Sequence, residues 1–126
     1  MNPAKILICD DSEFMRELTR KVLSSVGYGR FLEASSKKEA VALYKNEKPD
    51  LVLLDIIMGV EHSGIDALKE ILAYDKGAKV IMVSVVDQEK VLEETKRIGA
   101  VGYVTKPVDE RKLQSIVKKV LEGSKK

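Results

Sequence analysis

The chain has 126 residues, of which 44% are hydrophobic and 33% charged, and its formal net charge is +2. That length supports one domain with its own core, without disulfides or structural metal. The near-neutral balance leaves no footprint for nucleic acid or an anionic membrane surface, and a single cysteine excludes an internal disulfide framework.

The first strand is expected over Lys5–Cys9 and runs straight into Asp10 and Asp11. Phe14, Leu18, Val22 and Val26 recur at every fourth residue and predict a helix with that stripe turned inward. A second strand, Phe31–Ala34, leads to Ser36-Lys37-Lys38-Glu39, a capping box for a helix carrying Ala40, Leu43 and Tyr44. The third strand, Leu51–Leu54, ends on Asp55, and Ile65, Leu68, Ile71 and Leu72 mark the third helix. The fourth, Val80–Val83, ends at Ser84; Asp87 then reads as the cap of a helix bearing Val91, Leu92, Thr95 and Ile98. The fifth, Val101–Val104, leads to Lys106-Pro107, and Asp109 caps a last helix with Leu113, Ile116, Val117, Val120 and Leu121. Gly27, Gly77 and Gly99 fall where helices should stop.

Five strand–helix repeats with near-continuous aliphatic strands predict an α/β fold of three layers, a doubly wound (βα)5 parallel five-stranded sheet. A single domain over 1–126 is expected, with its core at about 4–121 and a frayed tail at 122–126. No apolar run approaches the roughly 18 residues of a membrane helix, and Met1 to Lys5 does not lead into a signal-peptide core. A cytoplasmic protein is expected.

Adjacent carboxylates repel, and burying them costs more still, so Asp10-Asp11 calls for a positive partner. If the strand order is 2-1-3-4-5, the ends of the central strands share one crevice, where such sheets bind ligands. Asp10, Asp11 and Asp55 would then form a hard-oxygen site suited to Mg²⁺, with Lys106 as a second cation. A divalent metal, an ammonium, the Ser84 hydroxyl and a central carboxylate suit a phosphoryl group. Asp55 is the natural nucleophile, Lys106 and the metal offset charge, and Ser84 donates to the phosphoryl oxygens.

The ordered set Asp10-Asp11, Asp55-Ile56-Ile57-Met58, Gly64, Ser84, Tyr103 and Lys106-Pro107, supported by Glu33-Ala34 and Pro49-Asp50, resembles the receiver domains of two-component response regulators. The resemblance covers the whole chain and extends to the stand-alone CheY-type members. It implies the flavodoxin/CheY-like order 2-1-3-4-5 and a phosphoryl group taken by Asp55 from a histidine kinase or phosphotransfer protein. It also implies Mg²⁺ on Asp11, Asp55 and the Ile57 backbone carbonyl, with Asp10 acting through water. Ser84 and Tyr103 match the family's switch pair, and Lys106 its phosphate-binding lysine. Output would pass to a protein partner on the face of the fourth helix, fifth strand and fifth helix, around Lys90, Glu94, Tyr103 and Lys112. No direct nucleic-acid or membrane partner is implied, and the protein would be a monomer or weak dimer.

Two departures from the family pattern stand out. Proline usually follows the acceptor by four residues and glycine by eight, but here Gly59 takes the first place and Gly64 lies nine residues on. Val85 stands where a small residue usually follows the switch hydroxyl. With Ile57 and Val86 it is expected to rim the phosphoryl group, keep water out of line and slow self-dephosphorylation. A haloacid-dehalogenase-like phosphatase would need an acid two residues after its nucleophile, where this chain has Ile57 or Ser12. A flavodoxin-type carrier would need a hydroxyl-rich loop in place of Asp10-Asp11. The alternative that keeps the fold is a pseudo-receiver, an adaptor that works without phosphorylation. Cys9 is expected as a buried small hydrophobe, His62 as solvated surface, and Lys125-Lys126 as a solubilising tail.

Overall fold

A computed structural model describes residues 2–58 and 63–123. The expectations placed on Gly59 to His62 and on Lys125-Lys126 lie outside the described residues. Ten elements alternate along the chain: β1 (Asn2–Cys9), α1 (Glu13–Ser24), β2 (Tyr28–Ala34), α2 (Lys37–Glu47), β3 (Leu51–Leu54), α3 (Gly64–Tyr74), β4 (Val80–Ser84), α4 (Glu89–Ile98), β5 (Gly102–Thr105) and α5 (Glu110–Gly123). The five strands form one parallel sheet in the order β2-β1-β3-β4-β5, as expected.

Alternation along the strands builds two cores, because successive side chains leave opposite faces. Leu7, Cys9, Val52, Leu54, Val80 and Met82 face one side, against Ala40, Val41 and Tyr44 of α2 and Ala67, Leu68 and Ile71 of α3. Ile6, Ile8, Leu51, Leu53, Ile81 and Val83 face the other, against Val22 and Leu23 of α1 and Leu113, Val117 and Leu121 of α5. Cys9 is buried as expected, and burial pushes its thiol pKa well up, so it packs as an inert apolar residue. No helix among the described residues is long and apolar enough to cross a membrane.

Four local expectations need correction. The every-fourth-residue stripe of α1 is not its buried face: Phe14 is 72% exposed and Val26 is 48% exposed. A step of four overshoots a helical turn by about 40°, so the stripe winds off the core. Of the stripe only Val22 is buried, beside Thr19 and Leu23, and Val26 lies beyond the helix end. Second, α4 is preceded by Gln88, which makes no side-chain cap, so Asp87 is not the N-cap. The Gln88 carbonyl meets the Val91 and Leu92 amides there. Third, Ser36 does accept from Glu39 N at 3.2 Å, but the Glu39 carboxylate reaches past it to Ser35 N and Oγ at 2.8 and 2.6 Å. Fourth, Glu122 and Gly123 belong to α5 rather than to a frayed tail. Asp109 caps α5 as expected, its Oδ1 accepting from Lys112 N at 3.1 Å.

Candidate functional site

The parallel sheet delivers the ends of β1, β3, β4 and β5 to one edge. Backbone bonds continue the ladder just past the strands: Asp10 N donates to Ala34 O, Asp55 N to Cys9 O, and Lys106 N to Ser84 O. These bonds fix where the three charged side chains start. Asp10 and Asp55 are then buried, at 7% and 6% exposure.

Lys106 resolves the repulsion between them. Its Nζ donates to Asp10 Oδ2 at 2.6 Å and to Asp55 Oδ2 at 2.7 Å. The remaining oxygens are taken by backbone, Asp10 Oδ1 by Ser12 N at 2.9 Å and Asp55 Oδ1 by Ile57 N at 3.0 Å. Burial alone would pull the Lys106 pKa down, but the two hydrogen bonds and the charges of both carboxylates outweigh it and hold the ammonium above its usual value. A buried charge left without its partner costs about 3–5 kcal/mol, so each member of this trio depends on the others.

Ser84 is fully buried at the end of β4. Its Oγ accepts from Val86 N at 3.4 Å, and the Val86 carbonyl accepts the Tyr103 hydroxyl from β5. Burial raises the Tyr103 pKa most; a hydrogen bond with Ser84 works against it, and the negative charges of Asp55 and Asp87 add to the rise. Ile57, Val86 and Tyr103 all pack, half-buried, on the same core cluster beneath the site, whereas Val85 is 59% exposed. Gly64 approaches the backbone that follows Asp55, its amide donating to Ile56 O at 2.8 Å.

Asp10, Asp55, Lys106, Ser84, Ile57 and Tyr103 are thus brought to one edge, with Asp11 exposed at the same turn. Among the described residues no three acidic side chains are gathered into a ready-made metal cage. Asp10 and Asp55 share the ammonium instead. The donor chemistry still fits a small hard cation, since Mg²⁺ takes one or two carboxylates and keeps several waters. Arg16 and Glu33 also belong to the site's support. Arg16 Nη1 donates to Asp10 O at 2.6 Å and Arg16 Nε to Glu33 Oε1 at 2.9 Å. The available signal was a cation near the N-terminus of a helix, where the macrodipole disfavours it.

The fold and this edge define the class, and comparison with known proteins agrees. The response regulator receiver domain model matches residues 6–118, and the chain belongs to that family. It is 39% identical to the chemotaxis protein CheY of Halobacterium salinarum over 93% of this chain and 96% of that one. It is 36% identical to the sporulation initiation phosphotransferase F of Bacillus subtilis, over 93% of each chain. A chain of the CheX-CheY-BeF3-Mg²⁺ complex from Borrelia burgdorferi superposes with a TM-score of 0.89 at 35% identity, covering 94% of this chain and 89% of that one. The protein is a CheY-like receiver domain, a signalling module of the two-component type.

Proposed function

We propose that Asp55 accepts a phosphoryl group from a histidine kinase or phosphotransfer protein, with Mg²⁺ beside it, and that this switches a protein-binding face. The observation that carries the reading is Lys106 held between Asp10 and Asp55 at 2.6 and 2.7 Å. Such an ammonium can follow negative charge from the carboxylate to the group that the carboxylate receives. The Borrelia burgdorferi neighbour, whose complex contains BeF3 and Mg²⁺, supports it.

In the transfer, an Asp55 oxygen forms the new O–P bond while the P–N bond of a phosphohistidine breaks, and the imidazole leaves with the electron pair and regains a proton from solvent. Asp11, Asp55 and the Ile57 carbonyl, with Asp10 through water, would hold Mg²⁺, which would supply positive charge against the phosphoryl oxygens. Lys106 neutralises the same oxygens from its own side. Ser84 reorients its hydroxyl toward them and away from Val86 N, which gives the phosphorylated state a contact that the other lacks. Tyr103 follows through Val86, and the face of α4, β5 and α5 around Lys90, Glu94, Tyr103 and Lys112 takes a partner protein in the cytoplasm. The relatives include chemotaxis proteins and a sporulation phosphotransferase, so both output routes suit this surface.

Ile57 and Val86 form the apolar rim of the site, so self-dephosphorylation is slow. One experiment reads both parts of the proposal. With Mg²⁺ and a small phosphodonor, intact mass should rise by one phosphoryl group in wild type and not in Asp55→Asn. Ile57→Asn with Val86→Glu should then lose it faster. No mass gain in wild type would leave the phosphorylation-independent adaptor as the reading, and equal decay would remove the rim as the barrier.

A further inference from the structure

Asp11 lies exposed at the turn that also carries Asp10, and the backbone that carries it helps to set where its carboxylate can reach. The carbonyl of Asp10 and the amide of Asp11 belong to one rigid peptide plane. Arg16 grips that plane at the carbonyl oxygen, 2.6 Å from Nη1. The same guanidinium is anchored through Nε to Glu33 at the end of β2, at 2.9 Å, and its side chain is only 15% exposed. Glu33 is held in turn by Arg20 Nη1 at 2.7 Å on its other oxygen. A planar, forked donor set can serve two acceptors in fixed directions at once, which a single ammonium cannot.

We infer that Arg16 is a positioning residue, braced by Glu33, that sets the Asp10–Asp11 peptide so that Asp11 faces an incoming Mg²⁺. This rests on the Mg²⁺-dependent reading above and deepens it. Without Arg16 the carbonyl side of this peptide loses its anchor, and the bonds of Asp10 N to Ala34 O and of Ser12 N to Asp10 Oδ1 alone hold the turn that carries Asp11. The placement is otherwise costly: a cation near the N-terminus of α1 opposes the helix dipole and stands close to where another cation must bind. Glu33 offsets that charge.

The charge makes the test discriminating. Simple electrostatics says that removing a positive charge beside a cation site tightens binding. Positioning says the opposite. Calorimetric titration with MgCl2 should show Arg16→Gln binding about tenfold more weakly than wild type, the size expected when the support of a metal ligand is lost. Arg16→Lys keeps the charge but not the fork, and should also bind weakly. Arg20→Gln removes a charge from the far side of Glu33 while leaving the Asp10 contact, and should weaken binding less than Arg16→Gln. Urea midpoints measured in EDTA separate this from stability, since a purely structural role would lower the midpoint and leave the affinity of folded protein unchanged. If Arg16→Gln does not fold, Arg16→Lys decides by the same criterion. Wild type that binds Mg²⁺, with Arg16→Gln or Arg16→Lys binding as tightly or more tightly, overturns this inference alone. Wild type that binds none overturns the functional reading and this inference with it.

Discussion

Gly64 sets the tightest tolerance at the site. A Cβ on it would lie 2.0 Å from Asp55 O and 2.4 Å from Ile56 Cα, both backbone atoms that cannot swing aside. Its place nine residues after the acceptor thus still satisfies a demand for the smallest residue, whatever the intervening loop does. Gly64→Ala should lower stability by about 3 kcal/mol, as overpacking does when backbone must shift, and should slow labelling of Asp55. Urea unfolding and intact mass measure the two, and an unchanged urea midpoint would show that α3 can slide. Legibility at this scale follows charge: Asp10, Asp55, Ser84 and Lys106 declared themselves by ending apolar strands. Arg16 did not, because one of its partners is a backbone carbonyl and the other, Glu33, lies on a different element. Lys48 did not either, although it takes the left-handed cap of α2 at φ 46°, where glycine is usual.

Elements were legible in number and order, less so in their faces and ends. The strands gave clear runs because both of their faces are covered, and even so β1, β2, β4 and β5 extend past or start off the expected bounds. Helix α1 misled because a four-residue period is close to, but not at, the helical repeat. Val22→Ala should therefore cost about 2 kcal/mol, and Phe14→Ser less than about 0.5 kcal/mol, by urea midpoint. Equal costs would put Phe14 in the core beside Val22. Between α2 and α3, the Tyr44 hydroxyl donates to Asp75 Oδ2 at 2.7 Å, beside an edge-on contact of Tyr44 with Tyr74. The Tyr44 bond, then the Gly77 amide, hold the Asp75 pKa below its ordinary 3.8. Burial first, then Asp75, push Tyr44 above its ordinary 10.0. The lowered acid stabilises the fold above pH 3.8 and loses this as pH falls through its folded value; the raised phenol stabilises it below pH 10.0 and loses this as pH rises through its folded value. Tyr44→Phe should cost about 1 kcal/mol at neutral pH, a gap that narrows at both extremes. A gap that stays constant from pH 2 to pH 8, on the order of the carboxylate range of titration, would mean that the hydroxyl contributes nothing through Asp75.

Across the whole molecule, the acceptor edge and the α4–β5 side are joined by few steps. Ser84 Oγ, the amide and carbonyl of Val86 and the Tyr103 hydroxyl form a series, and Tyr103 is one wall of a groove of about 450 Å³ between α4 and β5, with Leu92, Thr95 and Val101. Proximity alone is no coupling; the series must have two arrangements that the phosphoryl group tells apart. On the proposed reading the Ser84 side chain would provide them, one rotamer with Oγ on Val86 N and another with the hydroxyl turned to donate to the phosphoryl oxygens. Tyr103→Phe keeps the ring in the core and removes the hydroxyl, with its bond to Val86 and its interaction with Ser84. That bond is worth about 1 kcal/mol, roughly a fivefold change in the ratio of the two states. Asp55 in this variant should still gain its phosphoryl group by intact mass. The amide shifts of Leu92, Thr95 and Val101 induced by Mg²⁺ and phosphodonor should be much smaller than in wild type, while those at Ile57 persist. If the groove shifts are undiminished, the signal leaves the site by another route, and the hydroxyl of Tyr103 serves packing alone.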